Sequence, residues 1–211
     1  MKVIIPFGPP STGKGTRIKE VVEELRELWE SLGTSNELKA EVKAQTELGK
    51  LIKSYMDEGA LVPNEIVIGM MIDKIKKSEK NLFLDGFPRT VEQAQALLDA
   101  GIKPDLIINL VVAEEVLLER ARNRVCCAEC GATFSKVGES RPKEEGVCDY
   151  CGGELRQRSD DADEAVVRRR MTVYEEETKP VLEFFKNAGV KVVSIDNAAP
   201  NASAEFKKLV I

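Results

Sequence analysis

Residues 8–16 have the composition of a phosphate-binding loop. They read Gly-Pro-Pro-Ser-Thr-Gly-Lys-Gly-Thr and lie between an apolar run at 3–7 and an amphipathic segment. In a loop that joins a strand to a helix, backbone N–H groups and the positive helix end surround a polyphosphate, and Lys14 supplies a mobile cation. Gly15 separates Lys14 from Thr16, whereas the general pattern has Ser or Thr directly after the lysine. The segment therefore predicts nucleotide binding.

Four of the five cysteines form a second chemical group. They occur as two Cys-x-x-Cys pairs, each followed by glycine: Cys127 with Cys130, and Cys148 with Cys151. Two such turns place four thiolates around one tetrahedral Zn²⁺, and no open position remains, so the metal would be structural. Disulfides and an iron–sulfur cluster are the alternatives. Cys126 is out of phase with the pair, so we predict a packing residue, with an alternative ligand role left open.

The composition limits the possible classes of protein. A chain of 211 residues with 43% hydrophobic content predicts one domain with insertions. The chain has no histidine, which excludes Ser-His-Asp and Cys-His nucleophiles and histidine acid–base chemistry. The net charge of −5 argues against broad nucleic-acid binding. No apolar run has the length of a membrane span and no signal peptide is evident, so we expect a soluble, cytoplasmic protein without a membrane partner.

Continuous apolar runs alternate with helical patterns, which predicts a doubly wound α/β fold with a buried parallel sheet. The strands are predicted at 2–7, 82–85, 106–112 and 190–195. The helices are predicted at about 14–31, 36–44, 47–58, 64–77, 91–100 and 114–123, with a long helix from near Asp160. The first helix would bury one face, formed by Ile18, Val21, Val22, Leu25, Leu28, Trp29 and Leu32.

The last long helix has acidic residues at its predicted start and a proline within it. Asp161 and Glu164 give it a charged start, and Pro180 should kink or restart it. Asp160 and Asp161 could equally pair with groups of a closing flap.

Two stretches depart from the alternating pattern. Residues 33–62 have helical patterns without a strand, and residues 125–159 are rich in Cys, Gly and turn residues. We interpret both as flaps inserted into a core of residues 1–32, 63–124 and 160–211.

Several motifs together carry a family resemblance. They are the loop at 8–16, Leu-Asp-Gly-Phe-Pro-Arg-Thr at 84–90 followed by Gln93, the two cysteine pairs 17 residues apart, Gln-Arg-Ser-Asp-Asp at 157–161, and Met-Thr-Val-Tyr-Glu-Glu-Glu-Thr-Lys-Pro at 171–180. Over nearly the whole chain these motifs resemble the adenylate kinase family in its long-lid, zinc-containing form. The resemblance implies a P-loop nucleoside-monophosphate-kinase fold with five parallel strands, helices on both faces, a nucleoside-monophosphate flap and a zinc lid.

The resemblance also implies an activity, which is reversible transfer of a phosphoryl group from Mg-ATP to AMP to give two ADP. The substrates ATP, AMP and ADP would be the only partners, and the resemblance favours a monomer. Because the acceptor phosphate is already ionised at neutral pH, the reaction needs no general base, and a chain without histidine can perform it. Mg²⁺ would accompany ATP, with Asp85 holding it through water.

Site residues follow from the resemblance. The catalytic cations would be Lys14, Arg89, Arg124, Arg158 and Arg170. The ATP site would comprise Ser11, Thr12, Gly13, Lys14, Gly15, Thr16, Arg120, Arg124, Thr133, Phe134 and Ala199. The AMP site would comprise Thr34, Lys39, Ala60, Leu61, Val62, Gly86, Phe87, Pro88, Arg89, Gln93, Arg158 and Arg170.

The chain departs from the family pattern at three places. Lys39 stands where the family has a phosphate-binding arginine, which keeps the charge but loses the bidentate fork. The linker before Thr34 has a helical pattern, which puts the family's short second strand in doubt. One residue is inserted between Asp161 and Met171, near the helix start or as a bulge, so the second lid-facing arginine is Arg169 or Arg170 and the downstream anchor favours Arg170.

Two alternative functions are a kinase of another nucleoside monophosphate and a zinc-ribbon binding protein switched by a nucleotide. The four-cysteine lid favours adenylate kinase over the related pyrimidine-nucleotide kinases. Acidic residues offset the basic residues of the 125–159 stretch, which argues against nucleic-acid binding by a zinc ribbon.

Overall fold

The computed structural model describes residues 1–57, 62–138, 140–158, 161 and 163–211. Its main sheet has five parallel strands in the order β2-β3-β1-β4-β8. These strands are β1 (Val3–Phe7), β2 (Trp29–Gly33), β3 (Asn81–Asp85), β4 (Leu106–Val111) and β8 (Val192–Asp196). The predicted doubly wound α/β fold is confirmed, and four of these strands lie where the apolar runs predict them.

Alternate residues of the central strands pack into two separate apolar layers. Val3 and Ile5 of β1 contribute to one layer, and Ile4 contributes to the other. In β3, Leu82 and Phe83 are divided between the layers in the same way. Both faces of the sheet are therefore buried, which explains why its strands read as continuous apolar runs.

Helices cover both faces of this sheet. Their bounds are α1 (Lys14–Glu24), α2 (Thr34–Ala44), α3 (Glu47–Asp57), α4 (Asn64–Lys77), α5 (Val91–Asp99), α6 (Glu114–Asn123), α7 (Glu164–Val173), α8 (Pro180–Asn187) and α9 (Ala202–Val210). One layer contains buried residues of α4, α5 and α8, and the other contains buried residues of α1 and α9.

A second, antiparallel sheet lies within the cysteine-rich stretch. It consists of β5 (Arg124–Cys127), β6 (Thr133–Ser135) and β7 (Leu155–Arg156), in the order β6-β5-β7. We call it the small sheet. Its apolar cluster is limited to Val125, Cys127, Phe134, Cys148 and Leu155, with Ala132 against it.

The prediction of a first helix to residue 31 is wrong. Helix α1 ends at Glu24, and Trp29–Gly33 forms β2, the edge strand that pairs with β3 from Trp29↔Asn81 to Gly33↔Asp85. Leu28, predicted to be buried, has 58% of its surface exposed. The apolar spacing of this segment fits a helix, but pairing with β3 satisfies its backbone and stacks Trp29 on Phe83, with ring centroids 4.6 Å apart.

The last long helical region differs from its prediction at the start and agrees at Pro180. Asp163 caps α7 by accepting a hydrogen bond from the N–H of Ala165, whereas Asp161 lies buried in ion pairs. A π-helix at Tyr174–Thr178 ends this helix, and Pro180 begins α8, as predicted. Because α7 is regular and the π-helix lies beyond Met171, the inserted residue forms no bulge within Glu164–Val173. Ser159, Asp160 and Ala162 lie outside the described residues, so the roles predicted for Asp160 stay predictions.

Within the described ranges, no helix combines the length and apolar character that a membrane crossing requires.

Candidate active site

The loop at 8–16 has the backbone shape that a phosphate site needs. Gly8 and Gly13 have φ values of 141° and 93°, and a Cβ on Gly8 would lie 2.7 Å from the carbonyl oxygen of Leu110. Gly13 is the N-cap of α1 and provides no side-chain cap for the first-turn N–H groups. Ser11 also has a positive φ, of 65°, and its buried hydroxyl has no hydrogen-bond partner within the described residues. A phosphate oxygen would fit this arrangement.

Lys14 folds back over the loop. Its Nζ donates to the carbonyl oxygens of Gly8 and Pro9, at 2.7 and 2.9 Å, and lies 3.3 Å from the Thr12 hydroxyl. Burial lowers the pKa of Lys14 to about 8, although the Asp85 carboxylate acts to raise it. The positive charges of Arg89, Arg124 and Arg170 lower the pKa further. The charges of three guanidinium groups therefore act on this ammonium group.

Asp85 and Arg89 extend the site from the end of β3. Gly86 has a φ of 74°, and its carbonyl oxygen accepts a hydrogen bond from Nε of Arg89 at 2.9 Å. Burial lowers the pKa of Arg89, Asp85 raises it and Arg158 lowers it. A Cβ on Gly15 would lie 4.0 Å from Oδ2 of Asp85, so this carboxylate faces the start of α1.

A buried carboxylate holds two of the predicted cations. The Asp161 side chain has no exposed surface, and it accepts from Nε and NH2 of Arg124 at 2.6 and 2.5 Å and from NH1 of Arg170 at 3.1 Å. Both partners lie outside the predicted flaps at 33–62 and 125–159, so these ion pairs are not the predicted pairing with a closing flap. Of the two arginines considered at this position, Arg170 contacts the Asp161 carboxylate, whereas Arg169 is exposed.

The predicted monophosphate side of the site is partly described. The buried hydroxyl of Thr34 donates to the carbonyl oxygen of Gly86 at 3.0 Å, which links α2 to the residue that follows β3. Lys39 is exposed on α2, and Val62 packs against the larger apolar layer. Ala60 and Leu61 lie outside the described residues.

Residues that follow β3 complete that side of the cleft. Phe87 is buried and its peptide bond to Pro88 is cis. Gln93 is buried; its Oε1 accepts from the N–H of Arg89, and its Nε2 donates to Oδ1 of Asn64, both at 2.8 Å. Sequence reasoning missed Asn64, because in the sequence it marks only a helix start.

The remaining predicted nucleotide contacts occupy other places. Thr133 and Phe134 lie on β6, the first exposed and the second buried. Ala199 lies in the turn after β8, where its N–H donates to the carbonyl oxygen of Asp196. Arg158 is exposed just after β7, and its carbonyl oxygen accepts from the N–H of Asp161 at 3.1 Å. These residues therefore belong to segments separate from the loop at 8–16, and a bound nucleotide would have to span the distance between them.

The four paired cysteines converge at the end of the small sheet. Their sulfur atoms all lie within 4.8 Å of one another, with Cys127 and Cys151 at 3.4 Å and Cys130 and Cys148 at 3.6 Å. Tetrahedral zinc with bonds of about 2.3 Å places its sulfur ligands roughly 3.8 Å apart, so this donor set fits the ion. The structure shows all of these cysteines as free thiols rather than disulfides.

Both cysteine turns repeat one backbone pattern. The N–H of Gly131 donates to the carbonyl of Cys127, and that of Gly152 donates to the carbonyl of Cys148. Both glycines have positive φ, of 72° and 73°, a conformation that a residue without a Cβ adopts at little cost. The backbone N–H of Cys130 lowers the pKa of the Cys127 thiol to about 6, whereas burial raises the pKa of Cys130 and the neighbouring thiols raise the pKa of Cys151. Cys126 lies outside the group of four and contacts Thr133, with its sulfur 3.7 Å from Oγ1.

Comparison with known proteins identifies the family. Residues 6–190 match the family model for adenylate kinase. The adenylate kinase of Caldicellulosiruptor saccharolyticus is 44% identical over 201 residues, which cover 92% of this chain and 91% of that protein. The chain belongs to the adenylate kinase family. The adenylate kinase of Alkaliphilus oremlandii is 45% identical over 92% of this chain and 90% of its own length. That of Methanosarcina barkeri is 41% identical over 97% and 98%.

Membership of the adenylate kinase family confirms the predicted fold, enzyme class and function. The protein is a phosphotransferase of the nucleoside monophosphate kinase type. The alternative of a nucleotide-switched binding protein is not supported, because the relatives named above are adenylate kinases over nearly their whole length. In this kinase, the charges of Asp85 and Arg89 both act on Lys14 of the loop at 8–16.

Sequence reasoning also missed one buried residue of the loop region. Asn197 follows β8, and its side chain hydrogen-bonds both the loop at 8–16 and α1. A single asparagine in a turn is ordinary in any sequence, and only its position at the carboxyl end of a parallel strand could have drawn attention to it.

Proposed function

We propose that this kinase transfers the terminal phosphoryl group of Mg-ATP to AMP, reversibly, with ATP held on the loop at 8–16. The main support is the gathering of Arg89, Arg124 and Arg170 around Lys14, where their charges lower its pKa. The four positive charges repel one another when no ligand is bound. A bound polyphosphate would neutralise them and make the cluster favourable. Transfer of a phosphoryl group needs this concentration of positive charge and little else.

The chemistry divides among these cations by position. Lys14 would bind the β- and γ-phosphates, because its Nζ lies over the loop. Arg89 would bind the acceptor phosphate next to Gly86, and Arg124, Arg158 and Arg170 would neutralise the transferring group. Asp161 holds two of these arginines in place before any substrate binds, so little reorganisation is required. No residue needs to act as a general base, because the acceptor phosphate is already an anion.

Other predicted contacts surround the two nucleotides. On the ATP side these are the loop residues Ser11, Thr12, Gly13, Gly15 and Thr16, with Arg120, Thr133, Phe134 and Ala199. On the AMP side they are Thr34, Lys39, Ala60, Leu61, Val62, Gly86, Phe87, Pro88 and Gln93. Because Lys39 is exposed and cannot form a bidentate fork, we expect weaker binding of the acceptor phosphate than an arginine would give.

Asp85 would hold Mg²⁺ through water. Its carboxylate faces the start of α1, which is the side from which phosphates would approach. When bound, the ion neutralises charge on the phosphates. Direct coordination by the carboxylate is not required for this role, because Mg²⁺ keeps several waters in phosphate sites.

Residues 125–159 would form a lid and residues 33–62 a flap over the monophosphate. In the lid, Cys127, Cys130, Cys148 and Cys151 would bind a structural Zn²⁺, supported by the spacing of their sulfur atoms. Closure of both flaps would exclude water from the transferring group. The free thiols suit a reducing cytoplasm, and we propose a monomer that acts on small molecules rather than nucleic acid.

The test is formation of nucleoside diphosphate from Mg-ATP with AMP, GMP, CMP and UMP in parallel, resolved by chromatography. We expect rapid conversion of AMP alone. Lys14→Met should lower the rate by about a thousandfold without unfolding the protein, because it removes the charge on the phosphates. Lys76→Met, at an exposed position of α4, is the matched control and should leave the rate unchanged. If another monophosphate is preferred, the proposed acceptor is wrong. If none of the four is phosphorylated, the proposed activity is refuted.

A further inference from the structure

Asn197 has a buried side chain that hydrogen-bonds the loop at 8–16 through its Nδ2 and α1 through its Oδ1. Only 3% of the residue is exposed. Its Nδ2 donates to the carbonyl oxygen of Thr12 at 2.5 Å, and its Oδ1 accepts from Nε of Arg17 at 2.9 Å. The amide orientation is thereby fixed, because a flipped amide would place an acceptor against the Thr12 carbonyl and a donor against the guanidinium.

Arg120, on α6, also hydrogen-bonds the Thr12 carbonyl. Its NH1 donates to the carbonyl oxygen of Thr12 at 3.1 Å, and its NH2 donates to the carbonyl oxygen of Asn197 at 2.9 Å. The backbone N–H of Asn197 is itself bonded to the carbonyl of Val111, at the end of β4. The Thr12 carbonyl is therefore held by two donors that are anchored to the main sheet.

Fixing this one carbonyl fixes the direction of the next backbone N–H. In a planar trans peptide, the C=O of Thr12 and the N–H of Gly13 point in opposite directions. With the carbonyl turned toward Asn197 and Arg120, the N–H of Gly13 points away from them, to the side on which the loop would hold a phosphate. The Asn197 side chain also packs directly against Gly13. A Cβ at this position would lie 2.8 Å from Nδ2 of Asn197, so no larger residue fits there without a shift.

From this geometry we infer that Asn197 is a positioning residue for the phosphate-binding loop, which sets the affinity for the nucleotide bound there. It acts through the Thr12–Gly13 peptide and through Arg120, and it does not touch the nucleotide. The inference rests on the proposed function for the assignment of ATP to this loop. It adds that the affinity for Mg-ATP depends on a side chain 184 positions away from Gly13 in the chain, whereas the affinity for AMP does not.

The sharpest test is Asn197→Asp, which keeps the shape and the acceptor for Arg17 but replaces the donor to Thr12 with an oxygen. We expect the KM for Mg-ATP to rise about tenfold, with the KM for AMP changed less than twofold, because one buried hydrogen bond to the loop is lost. Asn197→Ala should give the same selective change. If the aspartate variant does not fold, the alanine variant is judged by the same pair of KM values.

Asn201→Asp is the matched control. This residue lies in the same segment, where its exposed side chain donates to Glu205, and it should leave both KM values unchanged. Equal changes in both KM values, or an unchanged KM for Mg-ATP in folded Asn197→Asp, would overturn the inference. Calorimetric titration with Mg-ATP alone tests the role of Asn197 separately from the proposed kinase activity. It detects a tenfold loss of affinity even if the wild-type protein transfers no phosphoryl group to AMP.

Discussion

The main sheet and the small sheet differ in what stabilises them. The main sheet buries large apolar side chains on both faces, among them Phe83, Phe185 and Phe206. The small sheet has three short strands, and two of the five residues in its apolar cluster are cysteines of the proposed zinc site. A cluster of that size cannot offset the entropy of ordering some thirty residues. Burial therefore holds the main sheet, whereas the small sheet depends on the metal that we propose for its four cysteines.

Removal of the metal should have the largest effect, and it should act on the small sheet alone. Structural zinc contributes about 10 kcal/mol or more in small zinc-binding peptides, far more than the apolar cluster can supply. After chelation, we expect amide hydrogens of β5, β6 and β7 to lose protection, while those of β1, β3 and β4 remain protected. Hydrogen exchange resolved by residue checks this, and unchanged protection after verified metal loss would contradict a structural role for the ion.

Truncation of Phe83 should destabilise the main sheet by about 3–5 kcal/mol. This side chain is fully buried between Trp29 and Phe206, with ring centroids 4.6 and 6.0 Å away. Phe83→Ala should therefore lower the midpoint of urea unfolding followed by circular dichroism. Phe134→Ala in the small sheet is the comparison variant, and it should shift that transition much less because its neighbours unfold locally. Equal shifts would mean that the two sheets unfold as one unit.

The pKa of Lys14 predicts opposite effects of pH on stability and on nucleotide binding. Burial lowers the pKa of Lys14 in the folded protein to about 8, from 10.5 for an ordinary lysine. Between these values the unfolded chain binds more protons, so the contribution of Lys14 to stability rises as pH increases from about 8 to 10.5. Over the same interval the loop loses its positive charge, so kcat/KM for Mg-ATP should fall.

Thermal melting and kinetics over this pH range check both trends, with Lys14→Met as the reference. The melting temperature of the wild type relative to Lys14→Met should increase with pH. A difference that stays constant, or that decreases, would show that Lys14 is not held with a lowered pKa.

The smallest effect should come from the contact between the two regions. Tyr150 lies between Cys148 and Cys151, packs against Phe134, and presents its ring to the ammonium group of Lys19 on α1. A cation–π contact at an exposed site contributes about 0.5–1 kcal/mol. This contact joins the proposed lid to the helix that follows the loop at 8–16, so its loss should weaken lid closure over Mg-ATP. We expect Tyr150→Leu to raise the KM for Mg-ATP less than about fivefold, and Tyr150→Phe to match the wild type. A larger change in the phenylalanine variant would point to the hydroxyl instead of the ring.

The outcome of each sequence prediction depended on whether its signal was local. The loop at 8–16 and the cysteine pairs are short motifs, and their backbone shapes follow from glycines in the motifs themselves. The segment 25–33 has no such local signal, because Leu25, Leu28 and Leu32 are spaced as in a helix. Its conversion to an edge strand depends on β3, which is 48 or more residues away. The spacing of apolar residues within 25–33 carries no information about pairing with a strand so far away in the sequence.

By itself, the sequence determined which chemical groups this protein carries: a glycine-rich loop with a lysine, a set of arginines without histidine, two pairs of cysteines and strands apolar enough to be buried on both faces. Only the tertiary structure decided which charges meet. Asp161 could have capped a helix, yet it lies buried between Arg124 and Arg170. Asn197 could have been an ordinary turn residue, yet it holds the Thr12 carbonyl. The physical reason is that burial of a polar group requires partners, and those partners come from elements that meet only when the parallel sheet is assembled.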